Sequence, residues 1–259
     1  MQIGIIIQAR MNSKRLPGKV LKKFRNISPL KLLIDKINFI GLKDLTIIAT
    51  TNQKKDLKII NFCKKNDIKY FIGSNENVLK RYYECSSKFK IKNIIRLTAD
   101  CPFLDVFLLK RMILIFKKNK YAYLSNAYPL PCNYPDGSDI EVFTHDALKD
   151  AHLNAKLPSE KEHVTNYIYQ NKKNKIKRID LKNDLSKYRY TIDNIGDFKV
   201  FEKILKVFKY EEIIKLKYYQ ITNFLKKNKE LIKYQKTLKR NYGWKSSLEK
   251  DLKYLRINN

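Results

Sequence analysis

The sequence is poor in the residues that mark several common protein classes. It has four cysteines (Cys63, Cys85, Cys101 and Cys132), no Cys-x-x-Cys pair and three histidines in 259 residues. That excludes a zinc ribbon, a dithiol redox motif and a disulfide framework, and leaves four reduced thiols. Acids are scarce: 25 Asp plus Glu stand against 55 Lys plus Arg, a net charge of +30. No apolar run approaches the ~20 residues that cross a bilayer, so no integral membrane contact is expected. The apolar segment starting at Ile3 has no basic residue before it and ends at Gln8, too short for a secretory signal, so a cytoplasmic location is expected. Gly-x-Gly-x-x-Gly is also missing, and with it the dinucleotide fingerprint.

What remains is the composition of a folding chain, 44% hydrophobic and 12% aromatic, and disorder as the main state is excluded. The basic excess is 45 Lys and 10 Arg, spread along the chain among Ile and Asn. A nucleic-acid binder would cluster Arg with aromatics on one element, so nucleic acid is not the expected partner.

The first half alternates between strand and helix periods, as β-α-β units on a mostly parallel sheet do. Strands are predicted at 4–8, 45–49, 69–72 and 93–97, and helices at 29–40, 54–65, 78–88 and 106–118. The result is a three-layer α/β/α sandwich. Between 121 and 143 prolines accumulate and the helical period is lost, predicting a long loop with one strand at 139–143. Long loops inside a domain tend to be functional. Short helices at 145–153 and 160–169, strands near 176–179 and 189–192, and helices from 197 follow. Without a repeat or a Gly, Pro or Ser-rich linker, the chain reads as one domain, residues 1–225. A Lys-rich helical tail, 226–259, either packs on it or serves a homodimer.

The segment from Gln8 to Lys19 follows the first strand directly and gathers Arg10, Lys14, Arg15 and Lys19 around Ser13 and Gly18. In an open parallel sheet the ligand crevice lies beyond the carboxyl ends of the strands, so these cations point to a polyphosphate. It is not a P-loop, because Val20 stands where the Mg²⁺-binding hydroxyl would be. Asp100 and Asp193 each end a predicted strand facing the same crevice. Two such acids suit a Mg²⁺ shared with triphosphate oxygens, and equally suit helix N-caps.

The stretch Ile6-Ile-Gln-Ala-Arg-Met-Asn-Ser-Lys-Arg-Leu-Pro-Gly-Lys-Val-Leu21 resembles the signature loop of cytidylyltransferases of the spore-coat polysaccharide biosynthesis (SpsF) type. These are relatives of the CMP-acylneuraminate and CMP-deoxyoctulosonate synthetases. Further blocks follow in the family's order: Ala49-Thr-Thr-Asn52, Asn77-Val-Leu-Lys-Arg-Tyr82, Arg96-Leu-Thr-Ala-Asp-Cys-Pro102, Pro135-Asp-Gly-Ser-Asp-Ile-Glu-Val-Phe143, Glu162-His-Val-Thr165, Tyr190-Thr-Ile-Asp193 and Arg240-Asn-Tyr-Gly-Trp-Lys245. Asn12 departs from the family's usual Gly, though Asn tolerates a left-handed turn. Tyr242 replaces a usual acid.

The resemblance implies a Rossmann-like nucleotide-diphospho-sugar transferase (GT-A-like) architecture and Mg²⁺-dependent transfer of CMP from CTP to a small sugar-like acceptor, with pyrophosphate leaving. Arg10, Arg15, Lys19 and Asp100 would be catalytic. The nucleotide would meet Ala9, Arg10, Asn12, Ser13, Lys19, Thr51, Asn52, Arg81 and Asp100. Mg²⁺ would sit on Asp100 and Asp193. The acceptor would lie where Asp136, Asp139 and Glu141 converge with Glu162 and His163. Taken alone, His163 reads better as a structural histidine. Three rival functions remain: a CDP-forming enzyme for phosphorylated or phosphonate acceptors, a sugar-nucleotide-dependent glycosyltransferase, disfavoured because Asp100-Cys-Pro lacks a second Asp, and a non-enzymatic basic binding protein.

Overall fold

Strand β1 (Ile3–Gln8) sets the architecture through alternation: Ile5 and Ile7 enter one core, and Ile6 enters the core on the opposite face. A strand buried on both faces needs helices above and below it. In the computed structural model, which describes residues 2–234 and 242–258, both layers are present. The other strands are β2 (Thr46–Thr51), β3 (Lys69–Gly73), β4 (Asn93–Thr98), β5 (Tyr123–Ser125), β6 (Glu141–Thr144) and β7 (Ile176–Arg178). The sheet runs β3-β2-β1-β4-β6-β5-β7 and is parallel except for β6, which pairs antiparallel with both neighbours.

Helices α1 (Pro29–Phe39), α2 (Leu57–Lys65), α3 (Val78–Lys88) and α4 (Val106–Lys118) are the crossovers. The first face carries α1, α2 and α4, through Leu33, Cys63 and Met112 among others. The second carries α3 and α5 (His145–Asn154), through Tyr82 and Leu148. After α6 (Pro158–His163) and α7 (Asn166–Gln170), helices α8 (Ile195–Val207), α9 (Tyr210–Lys215), α10 (Tyr218–Lys227) and α11 (Lys229–Lys233) form a third cluster around Phe198 and Phe201. Residue 226 lies inside α10. The last helix, α12 (Tyr242–Asn258), rests on α6: Asp251 accepts from Ser159 N at 2.8 Å, and Ser247 donates to Glu162 at 3.0 Å. The side chains of the Arg240–Lys245 block lie outside the described residues.

Three predicted elements differ. The predicted 121–143 loop contains β5, too short for its period to show among the prolines. Residues 189–192 form no strand, only a bridge between Arg189 and Asp136. The predicted helix at 160–169 breaks at Val164 (φ 63°, ψ −56°), where Thr165 N bonds back to His163 O at 2.6 Å. A β-branched residue rarely adopts this tight turn.

Lys36 of α1 is fully buried and donates to Ile213 O (2.6 Å) and Ile214 O (3.0 Å), near the end of α9. Burial pushes its ammonium down to about 7, partly countered by Asp105. Above pH 7 the unfolded chain therefore binds more protons than the folded one, and stability rises with pH. Measured by denaturant unfolding against Lys36→Met, the wild type should gain roughly 2–4 kcal/mol between pH 7 and 10.

Candidate active site

The parallel strands β1, β2 and β4 deliver their carboxyl ends to one edge, and the loop after β1 covers it. Ala9 is buried, its N–H bonded to Ala49 O at 3.2 Å. The chain turns back at Gly18, left-handed at φ 72°, whose N–H bonds Met11 O at 2.9 Å. The left-handed residue is thus Gly18, while Asn12 does not have positive φ. Arg10, Asn12, Lys14 and Arg15 are exposed, Ser13 is half-buried, and Lys19 points inward.

The Lys19 side chain is 10% exposed. Its Nζ donates to Asp100 Oδ2 (2.6 Å), Ile192 O (2.7 Å) and Asp193 Oδ1 (2.9 Å). Burial opposes its charge, but the two carboxylates outweigh burial and raise its pKa above the usual lysine value. Arg15 also reaches Asp193 Oδ1 at 2.8 Å, and Arg189 holds Asp193 Oδ2. Burial alone would raise the Asp193 carboxyl; Lys19, Arg189 and Arg15 hold it well below the usual range. Neither acid is a helix cap. Asp105 caps α4, and Asn194 caps α8 with Asp197 reciprocating, which closes the alternative that the sequence left open.

On the nucleotide side, Thr51 is fully buried and its hydroxyl is donated to Asp56, so Thr51 braces rather than reads a ligand. Asp56, also buried, accepts from Met11 N at 2.7 Å and thereby ties the loop to the end of β2. Asn52 is exposed beside it. Arg81 is buried, donates to Ser74 O at 2.7 Å and leaves Nε without a partner. Burial lowers its pKa and nearby Arg10 adds to the effect, so an anion there would relieve both guanidinium groups.

The five acceptor-side residues do not converge. Asp136 is bound to Arg189. Asp139 is half-buried and acts on the Cys101 thiol beside Asp100. Glu141 is buried and committed to Arg96, Tyr123 and Thr165. Glu162 and His163 meet Ser247 of α12 instead. Because the one Ser247 proton goes to Glu162, the His163 ring donates from Nε2, at 3.0 Å. The physical reason for the dispersal is the turn at Val164, which faces 162–163 toward α12 and Thr165 toward Glu141. Burial pushes the Cys63 and Cys85 thiols up to about 12 and Cys101 well above its usual value, so none supplies a thiolate.

Asp56, Arg96, Arg189 and Asp197 are the residues the sequence reading missed. Arg189 joins Asp136, Asp193 and Asp197, binding the Pro135–Ser138 turn to the 189–193 segment. Its one legible signal was adjacency to the Tyr190–Asp193 block. Gly137 completes the union: at φ 103°, a Cβ would lie 2.5 Å from Thr191 N. Gly137→Ala is expected to cost about 2–4 kcal/mol in denaturant unfolding, since backbone rather than a flexible side chain must move.

Among the described residues no group of three or more His, Cys, Asp or Glu side chains is placed to hold a metal ion. Asp100 and Asp193 are two carboxylates converging on one ammonium at the crevice. Such a donor set fits Mg²⁺, which takes one or two carboxylates and completes its shell with phosphate and water.

The chain is similar to known proteins along most of its length. A family model described as Cytidylyltransferase matches residues 4–240. An uncharacterized protein of Methanocaldococcus jannaschii is 36% identical over 234 residues, covering 89% of this chain and 93% of that one. The spore coat polysaccharide biosynthesis protein SpsF of Bacillus subtilis is 36% identical over 173 residues, 64% of this chain and 69% of its own. Among solved structures, a cytidylyltransferase from Leptospira borgpetersenii superposes with a TM-score of 0.83 at 32% identity, covering 90% of this chain and 97% of that one. A CMP:2-keto-3-deoxy-manno-octonic acid synthetase complexed with CTP shares the fold, with a TM-score of 0.58 at 14% identity over 80% of this chain and 99% of its own.

Proposed function

The chain belongs to the cytidylyltransferase family, and on that premise we propose that it transfers CMP from CTP to a hydroxyl of a sugar-like acceptor, releasing pyrophosphate, in cytoplasmic assembly of surface glycans. The observation that carries the reading is the paired acids Asp100 and Asp193 at the mouth of a crevice rimmed by Arg10, Arg15 and Lys19. Mg²⁺ held by the two acids would neutralise charge on the α-phosphate and its attacking oxygen. Arg10 and Arg15 bind the triphosphate and offset the charge that builds on the departing pyrophosphate. Lys19 has the reach to join them from within. The buried Asp56 fixes the loop's shape, so little reorganisation is needed when phosphate binds. Arg81, whose charge is disfavoured by burial and by nearby Arg10, takes the nucleotide side. The acceptor enters past the Pro135–Ser138 turn, beside Asp139, whose charge is felt at Cys101 next to Asp100. Alignment of nucleophile and α-phosphorus, rather than covalent catalysis, is the protein's contribution.

The test is pyrophosphate release with each of the four nucleoside triphosphates, with Mg²⁺ and a panel of nonulosonates, other sugars, sugar phosphates and phosphonates. Release with CTP and one sugar acid or neutral sugar supports the reading. Release only with a phosphorylated or phosphonate acceptor replaces it with CDP transfer, and failure to bind any nucleotide overturns it.

A further inference from the structure

The three hydrogens of the Lys19 ammonium are all consumed, by Asp100 Oδ2, Asp193 Oδ1 and the main-chain carbonyl of Ile192. In this arrangement Lys19 has nothing left to offer a phosphate. The oxygens it occupies are those a hard divalent cation prefers, two carboxylates and a carbonyl. We propose that Lys19 is a resident cation in the metal seat, that Ile192 O is the seat's third protein oxygen, and that the divalent metal enters only when arriving triphosphate draws Lys19 away.

The inference rests on the phosphate-and-metal reading of this crevice. Its own support is the rigidity of the seat. Ile192 N is bonded to Asp100 O at 2.8 Å, which holds the two acid-bearing segments at a fixed spacing. The Ile192 side chain is fully buried, so its carbonyl cannot swing away. Asp193 Oδ2 is held by Arg189, which leaves Oδ1 as the oxygen facing Lys19. Such a seat keeps its shape when the ammonium leaves, with the partly exposed Arg15 still on Asp193 Oδ1. An ammonium and a dication cannot both occupy the same three oxygens, so one must leave before the other enters. Lys19 can leave only toward negative charge, and the exposed Arg10 and Arg15 mark where triphosphate would supply it. Metal and nucleotide therefore bind as a coupled pair, each favouring the other.

The experiment is Mn²⁺ binding to the full chain without nucleotide, read by the electron paramagnetic resonance of free Mn²⁺. The wild type should bind weakly, and Lys19→Met and Lys19→Gln should each bind tighter by about tenfold or more. Adding Asp100→Asn to either variant should abolish the gain. Circular dichroism identifies any variant that fails to fold, and the other then decides. Tight Mn²⁺ binding by the wild type, or unchanged affinity in the folded variants, overturns the exchange. CTP binding in the presence of Mg²⁺, measured in parallel on the wild type, tests the parent reading: no CTP binding sinks the transferase, whereas CTP binding with unchanged Mn²⁺ affinity in the variants sinks only the exchange.

Discussion

Asp100→Asn should lower pyrophosphate release by about a thousandfold while leaving the fold nearly as stable as before. The two effects separate because the Asp100 side chain has little structural work. It caps no helix, is 28% exposed, and its strong partner is Lys19, which keeps Asp193 and the Ile192 carbonyl when the charge is removed. The backbone contacts that hold this segment, Ile192 N and the Thr191 hydroxyl on Asp100 O, do not involve the carboxylate. The pair is partly buried, but Lys19 keeps two other acceptors, so losing it costs about 1–2 kcal/mol. The chemistry loses far more, because one of two carboxylates available to the metal becomes neutral where charge must be matched to charge. Steady-state pyrophosphate release and a denaturant midpoint on the same preparation check both halves. Full activity in the variant would remove Asp100 from the chemistry, and a large drop in midpoint would make it a structural acid.

The parts of this fold that were legible in the sequence are those dictated by one strong periodicity. The Val78–Lys88 and Val106–Lys118 helices have the predicted bounds because their apolar faces and Asn77 and Asp105 caps are local signals. β5 was hidden because three residues among prolines show no period, and the break at Val164 because nothing in the local sequence announces positive φ at a valine. The site divides in the same way. Arg15 and Lys19 were readable from the loop after β1 and Asp100 from the end of β4, and the structure joins them to Asp193 although the strand expected before it does not form. Glu141, Glu162 and His163 share motifs with site residues, yet their side chains turn to Arg96 and to α12, a choice made by tertiary packing. Asp56 acts on the Met11 backbone and Arg189 on Asp136, both remote in sequence, and only the four-residue step from Arg189 to Asp193 is local.

Arg189→Met should damage stability and turnover together, and so differs in kind from Asp100→Asn. The guanidinium is 9% exposed and binds Asp136, Asp193 and Asp197, of which Asp197 is completely buried. Burial disfavours the Arg189 charge, yet the surrounding carboxylates raise its pKa far above the usual value, so it is a cation at every accessible pH. A methionine of similar length fills the space but leaves three carboxylates without that charge. Removing one partner of a buried ionic cluster costs about 3–5 kcal/mol. Turnover falls because Asp193 Oδ2 loses the contact that leaves Oδ1 facing the crevice, and because the Pro135–Ser138 turn loses its tie to the same segment. Asp136→Asn tests the assignment. It removes one of the stranded charges, so in the Arg189→Met background it should cost less than in the wild type, with a coupling of about 1 kcal/mol or more in denaturant unfolding. Strict additivity would mean that Arg189 does not join the acceptor-side turn to Asp193, and the loss of activity would then need another cause.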